Sequence, residues 1–258
     1  MIRALIERVY GYIIAKQCTH IPAHIAIIQD GNRRFAEKKG ISISLGHVAG
    51  ADRSEEVLDW ARDLGIRHIT LYTFSTENFN RQEGEIQELF DLFKERLIKI
   101  ARDERVHRYG MKVQIIGERE LLPPDLLEAI EYAETATAHY ENFHLHMAIA
   151  YGGRNEILQT TTKILEDVKE KRITTDDIIP DLLEENLYGK KNTMPPVDLI
   201  LRTGNEYRTS NFLPWLANGH DSAVYFCAPY WPMFRKLDML RAIRVYSQRE
   251  EIKKRIAH

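Results

Sequence analysis

Six short apolar runs alternate with helical patterns along the chain, and this alternation limits the fold more than any other feature. The runs are His24 to Asp30, His68 to Ser75, Lys112 to Gly117, His144 to Tyr151, Asp198 to Thr203 and Ala223 to Ala228. Between them, Val48 to Leu64, Gln82 to Arg108, Pro124 to Tyr140, Asn155 to Lys171 and Arg235 to Arg255 carry apolar residues at helical spacing. Strands that alternate with helices predict a mainly parallel, six-stranded sheet with helices on both faces, an α/β fold. No repeat, linker or low-complexity tract divides the 258 residues, so residues 1–258 are expected to form a single domain.

The first residues, Met1 to Lys16, place Ile2, Leu5, Ile6, Val9, Ile13 and Ile14 on one stripe, which predicts an amphipathic helix over residues 1–18. Arg3, Glu7, Arg8 and Lys16 interrupt it, so neither a secretory signal nor a membrane span of ~20 apolar residues can be drawn there. Packing on its own domain is the plain expectation for this helix, and a flap over an apolar substrate or a membrane contact is the alternative. With 36 basic and 38 acidic residues the formal charge is −2, so no global basic field favours nucleic acid and any anion site must be local. Two cysteines, Cys18 and Cys227, make neither a disulfide framework nor a metal motif, and point to a reducing, cytoplasmic compartment.

In open parallel sheets ligands bind beyond the carboxyl ends of the strands, and here those ends are polar. The first strand runs into Asp30-Gly31-Asn32-Arg33-Arg34-Phe35, the second into Ser75-Thr76-Glu77-Asn78-Phe79-Asn80-Arg81, and the fifth into Arg202-Thr203-Gly204-Asn205-Glu206-Tyr207-Arg208-Thr209-Ser210-Asn211. A strand-end carboxylate suits Mg²⁺, and Gly31 with Asn32 lets backbone N–H groups approach an anion at the following helix. Arg202, Arg208 and Ser210 can hold phosphate oxygens through forked and hydroxyl hydrogen bonds. Alone, Asp-Gly-Asn is a turn signal and a lone arginine faces water. Neither a Walker loop nor a G-x-G-x-x-G dinucleotide motif occurs, which removes support for ATP and NAD.

These blocks, His24 to Gly46-His47, Tyr72 to Arg81 and Asp198 to Phe212, together with Tyr151-Gly152-Gly153-Arg154 and Tyr230-Trp231-Pro232, resemble the cis-prenyltransferase family that includes the undecaprenyl diphosphate synthases. The similarity runs in order from about His20 to Tyr246 and is nearest the archaeal and eukaryotic members. The resemblance implies that isopentenyl diphosphate condenses with an allylic prenyl diphosphate to give a polyprenyl diphosphate with new Z double bonds. The growing chain would lie in an apolar tunnel between sheet and helices.

By the same resemblance, Asp30 positions Mg²⁺ and assists ionisation, and Gly31, Asn32, Arg33, Arg34, Phe35 and His47 hold the allylic diphosphate. Ser75, Thr76, Glu77, Asn78, Phe79 and Arg81 form the second rim, where Asn78 matches the position assigned to proton abstraction or its relay. Arg202, Arg208 and Ser210 clamp isopentenyl diphosphate. A second metal carboxylate falls on Asp221 in an ungapped alignment, or its place goes to Ala223. Ile43 stands where many members have a diphosphate-facing arginine, and Glu251-Ile252-Lys253 aligns where members often carry an Arg-x-Gly reaching across a dimer. Phe143 falls in the region resembling the tunnel floor. The resemblance also implies a homodimer whose product draws it to membranes peripherally.

His144 and His146 share one strand face, a metal pair in one reading and ordinary strand-start histidines in the more frequent one. Two other functions remain open on the sequence: a non-catalytic accessory subunit of a cis-prenyltransferase complex, which typically loses the diphosphate motifs, and an unrelated α/β phosphate-binding enzyme or a member using another acceptor.

Overall fold

A computed structural model describes residues 2–188, 194–217 and 222–256, and side chains from residue 9 onward. The strands are β1 (His24–Ile28), β2 (His68–Ser75), β3 (Met111–Ile116), β4 (Phe143–Tyr151), β5 (Leu199–Arg202) and β6 (Ala223–Phe226). They form one sheet in the order β3-β4-β2-β1-β5-β6, and every pairing is parallel. All nine residues of β4 are buried, as expected of a central strand covered on both sides.

Helices α1 (Ile2–Gln17), α2 (Asn32–Lys39), α3 (Ile43–Asp63), α4 (Glu83–Arg102), α5 (Glu104–Tyr109), α6 (Pro124–Thr137), α7 (Gly153–Lys169), α8 (Pro180–Asn186) and α9 (Lys236–Ile256) surround it. The apolar stripe from residue 82 to 108 predicts one helix, yet two form. Asp103 adopts an extended conformation and its carboxylate caps α5 by accepting the Arg105 N–H at 2.8 Å. Helix α3 begins at Ile43, five residues earlier than the pattern indicates, because the Ser42 hydroxyl caps it by accepting the Leu45 N–H. Helices α2 and α8 are too short to show a clear period.

On one face of the sheet, Ile25, Ile27, Ile69, Leu71, Leu145 and Leu199 pack with residues of α3, α4, α6 and α9. On the other, Ala26, Ile28, Tyr72, Ala148 and Ile200 pack beneath Leu187, Met194, Phe212 and Leu213. Helix α1 lies against α9: Ile14 is fully buried, the Cys18 thiol donates to the Leu240 carbonyl, and Arg241 sits over the Tyr10 ring. The stripe expected to be buried is only partly so, since Val9 and Ile13 remain exposed. Ile2, Leu5 and Ile6 lie outside the described side chains.

Candidate active site

The connections leaving β1 and β5 run to opposite faces of the sheet, α3 packing on one and Phe212 and Leu213 on the other, so the carboxyl ends of these paired strands open a crevice. Ile28 is in register with Arg202, which sets Asp30 beside it. The Asp30 peptide is fixed on both sides: its N–H donates to the Thr203 hydroxyl at 3.0 Å, and its carbonyl accepts from that hydroxyl at 2.8 Å and from the Trp231 N–H at 3.0 Å. Gly31 follows at φ +109°, where a Cβ would lie 2.8 Å from the Tyr230 ring, so only glycine fits this turn.

The Asp30 carboxylate receives Arg34 Nη2 at 3.0 Å on one oxygen and Arg202 Nη2 at 2.7 Å on the other. Arg202, only 4% exposed, directs its second nitrogen to the Ser210 hydroxyl at 2.5 Å and the Arg208 carbonyl at 2.6 Å. Asn205, Ser210, Asn211 and Leu213 all hold left-handed φ values, between 46° and 61°. Such strain is often stored at functional sites, and here it wraps the loop around the Arg202 guanidinium.

Around β2 the rim is built by a capping box. The Ser75 hydroxyl accepts the Asn78 N–H, and the Asn78 side-chain oxygen accepts the Ser75 N–H at 3.1 Å. Burial would raise the Glu77 carboxyl, but hydrogen bonds from its own backbone, Ser75, Asn211 and Thr76 hold it below its ordinary value. Arg81 reaches Glu85 at 2.9 Å, His47 Nε2 lies 3.3 Å from the same oxygen, and Arg33 stands 3.8 Å from it. Burial pushes the His47 pKa down, against the Glu85 hydrogen bond, so the ring is neutral at pH 7.

A cavity of about 1240 Å³ descends from this rim, larger than the ~300–1,000 Å³ of an ordinary small-molecule pocket. Its polar mouth is formed by Asp30, Gly31, Asn32, Arg33, Arg34, His47, Ser75, Thr76, Glu77, Asn78, Arg81, Arg202, Arg208 and Ser210. Below, Ala51 and Leu58 of α3, Leu89, Leu92, Phe93 and Ile100 of α4, and Leu71, Leu145 and Met147 of the sheet make the apolar walls. At 1.5 Å per helical residue, the path from His47 to Leu58 is roughly 16 Å deep.

Three aromatic rings assigned from the resemblance, Phe35, Phe79 and Phe143, are not among the residues that line the cavity. Phe35 is half-buried on α2, next to Arg34. Phe79 packs edge-on against Phe74 with centroids 5.0 Å apart, as part of the core. Phe143 is buried one pleat step before Leu145 on the same strand face, beneath the lining, on the side where the resemblance puts the tunnel floor. Asp221 lies outside the described residues, and Ala223, buried at the start of β6, offers no donor.

Other residues at this end of the sheet went unassigned. Glu85 gathers Arg33, Arg81 and His47, and Glu206 joins Arg34 at 3.5 Å to Arg208 at 3.0 Å. The four-residue spacing of Arg81 and Glu85 at a helix start was the available signal for the first. Deeper in the wall, Arg96 bridges to Glu55 at 2.7 Å and Asp52 at 2.8 Å across α3 and α4.

At the opposite end of the sheet, His144 and His146 do share a face, joined there by His24 and His68. His146 is 1% exposed and neither ring nitrogen has a partner among the described residues. No group of three or more His, Cys, Asp or Glu among the described residues is arranged to hold a metal ion.

Residues 28–253 match a family model described as putative undecaprenyl diphosphate synthase. The tritrans,polycis-undecaprenyl-diphosphate synthase (geranylgeranyl-diphosphate specific) of Methanosarcina mazei is 46% identical over 96% of this chain and 84% of its own length. The protein of the same name from Methanocaldococcus jannaschii is 48% identical over 90% of this chain and 82% of its own. Among solved structures, lavandulyl diphosphate synthase from Lavandula x intermedia, in complex with dimethylallyl diphosphate, superposes with a TM-score of 0.83 at 31% identity, covering 88% of this chain and 95% of that one.

Proposed function

The chain belongs to the undecaprenyl diphosphate synthase family of cis-prenyltransferases, and from that premise we propose how its rim divides the work. As a prenyl transferase of the Z type, it condenses isopentenyl diphosphate with an allylic prenyl diphosphate. Gly31, Asn32, Arg33, Arg34 and His47 take the allylic diphosphate, and Arg202, Arg208 and Ser210 take isopentenyl diphosphate. The prenyl tail descends between α3 and α4. The observation that carries this division is Asp30, gripped by one arginine from each side at the head of an apolar cavity.

As the allylic C–O bond breaks, negative charge collects on the departing diphosphate, and preorganised arginines and backbone N–H groups stabilise it. The isopentenyl double bond attacks the cation-like allylic carbon, a C–C bond forms, and a proton leaves the isopentenyl C2. Asn78 is a poor base, and its side-chain oxygen is already engaged by the Ser75 N–H. Its amide N–H₂ therefore orients a diphosphate oxygen or a water that accepts the proton.

The donors fit Mg²⁺, since Asp30 is a hard oxygen ligand that diphosphate oxygens can complete. Asp30 would hold the ion, which supplies charge neutralisation of the leaving diphosphate when bound. Each Asp30 oxygen accepts one arginine N–H and keeps a second lone pair that the ion would take.

The names of the archaeal relatives point to a geranylgeranyl starter and an undecaprenyl product. A homodimer, a single domain over residues 1–258 and a cytoplasmic location complete the reading. No helix of the described residues is long and apolar enough to cross a membrane. Exposed Ile41, Ile43 and Leu45 beside Lys38 and Lys39 support peripheral contact with a membrane at the cavity mouth. Incubating the purified protein with labelled isopentenyl diphosphate and C10, C15 or C20 starters, with and without Mg²⁺, tests the reading. Mg²⁺-dependent polyprenyl products, best with C20, are expected; absence of elongation with every starter overturns it.

A further inference from the structure

Glu206 holds one arginine of each proposed clamp: Oε1 faces Arg34 at 3.5 Å and Oε2 faces Arg208 at 3.0 Å. Its carboxylate thus occupies the kind of position a substrate phosphate would take between the two guanidinium groups. Unlike Asp30, whose peptide is fixed at both ends, Glu206 rides on a loop directly after Asn205, which is held in the left-handed region at φ 58°. Its side chain is 27% exposed, so it has solvent to move into.

From this juxtaposition we infer that Glu206 is a positioning residue that couples the two diphosphate sites, standing in for phosphate until either substrate arrives. The inference rests on the diphosphate reading of the rim. A diphosphate that engages Arg34 brings like charge beside Glu206 and takes one of its two partners. The carboxylate then leaves the crevice, and Arg208 is released as well. The second substrate meets an arginine already free, because the displacement of Glu206 opposed only the first binding event. By reciprocity the same coupling operates when isopentenyl diphosphate binds first.

Calorimetric titration of isopentenyl diphosphate in Mg²⁺ buffer, with and without a saturating unreactive C20 S-thiolo allylic diphosphate, reads the coupling directly. In the unaltered protein the second ligand is expected to bind about 10-fold tighter than the first alone. In Glu206→Gln each ligand alone should bind more tightly, by a similar factor, and the coupling should fall to less than about 2-fold. Glu37→Gln, which removes a different carboxylate lining the same mouth, should keep the coupling. Coupling that survives in Glu206→Gln, or that is absent while the unaltered protein binds both ligands, overturns the inference. If the unaltered protein binds neither ligand, the reading of the rim itself fails.

Discussion

The two ends of one sheet solve the problem of polar groups in opposite ways. At the carboxyl ends, Arg33, Arg34, Arg81, Arg202 and Arg208 stay charged, and each is matched to Asp30, Glu85 or Glu206. At the amino ends, four histidines gather on one face, and burial holds them neutral, with His24 and His68 pushed down to about 4. The first end opens into a cavity whose mouth carries these carboxylates and arginines. The second is closed beneath Met194 and Pro195, where His24 lies 2.8 Å from the Pro195 carbonyl. Charge is kept where the sheet opens and suppressed where it is closed.

The contrast breaks most sharply at Asp30. Asp30→Asn keeps the shape but removes the charge, and turnover should fall by about 10²–10³, the scale for losing one preorganised electrostatic group. Steady-state kinetics with circular dichroism would show it, and near-normal turnover would remove Asp30 from the chemistry. Gly31→Ala forces the turn into strain and into Tyr230, and should cost about 1–3 kcal/mol in urea unfolding along with most activity.

Acid should act on the other end. Unfolded histidines bind protons near pH 6.5, whereas His24 and His68 do so only near 4, so the unfolded state holds more protons between these values. Their contribution to stability is therefore complete above about pH 6.5 and is lost as pH falls toward 4. The groups facing the cluster pull both ways, since Glu141 favours the charged form of His144, while Lys112 and Arg67 oppose it. His146→Leu removes two unpartnered buried nitrogens and should add about 1 kcal/mol at pH 7 with little change in turnover, while flattening the acid decline. Urea midpoints from pH 4.5 to 7.5 test both claims, and an unchanged slope would count against the cluster. Smallest of all, Ile43→Arg adds charge at the exposed mouth and should lower the KM for the allylic diphosphate by about 2–5-fold, equivalent to ~0.5–1 kcal/mol for a solvent-exposed pair.

Much of this was legible in the sequence. The six apolar runs mark the strands to within about two residues, since a buried parallel strand has little choice but to be continuously apolar. The rim was legible because Asp30 and Asn78 lie within three residues of a strand end, Arg202 closes β5, and Ser210 follows on the loop that β5 opens. What escaped depends on contacts between distant segments. Glu206 is meaningful only against Arg34, and His24 joins His68 and His146 only through strand register. Phe79 stands inside a motif whose neighbours line the cavity, yet its ring packs on Phe74, a contact that only the folded chain shows. The break at Asp103 was hidden by an apolar stripe that resumes at Val106.

Asp30 and Arg202 meet across 172 positions of chain. During synthesis the first half of the rim emerges long before its counterpart, and β1 waits with one flank unpaired until β5 leaves the ribosome. Closing so long a loop is the slow kind of folding event, and it comes late. A polypeptide halted before Arg202 would carry half an anion grip, its central carboxylate paired with Arg34 alone. The capacity for chemistry therefore waits on the segment from Arg202 to Ser210, which is made long after Asp30.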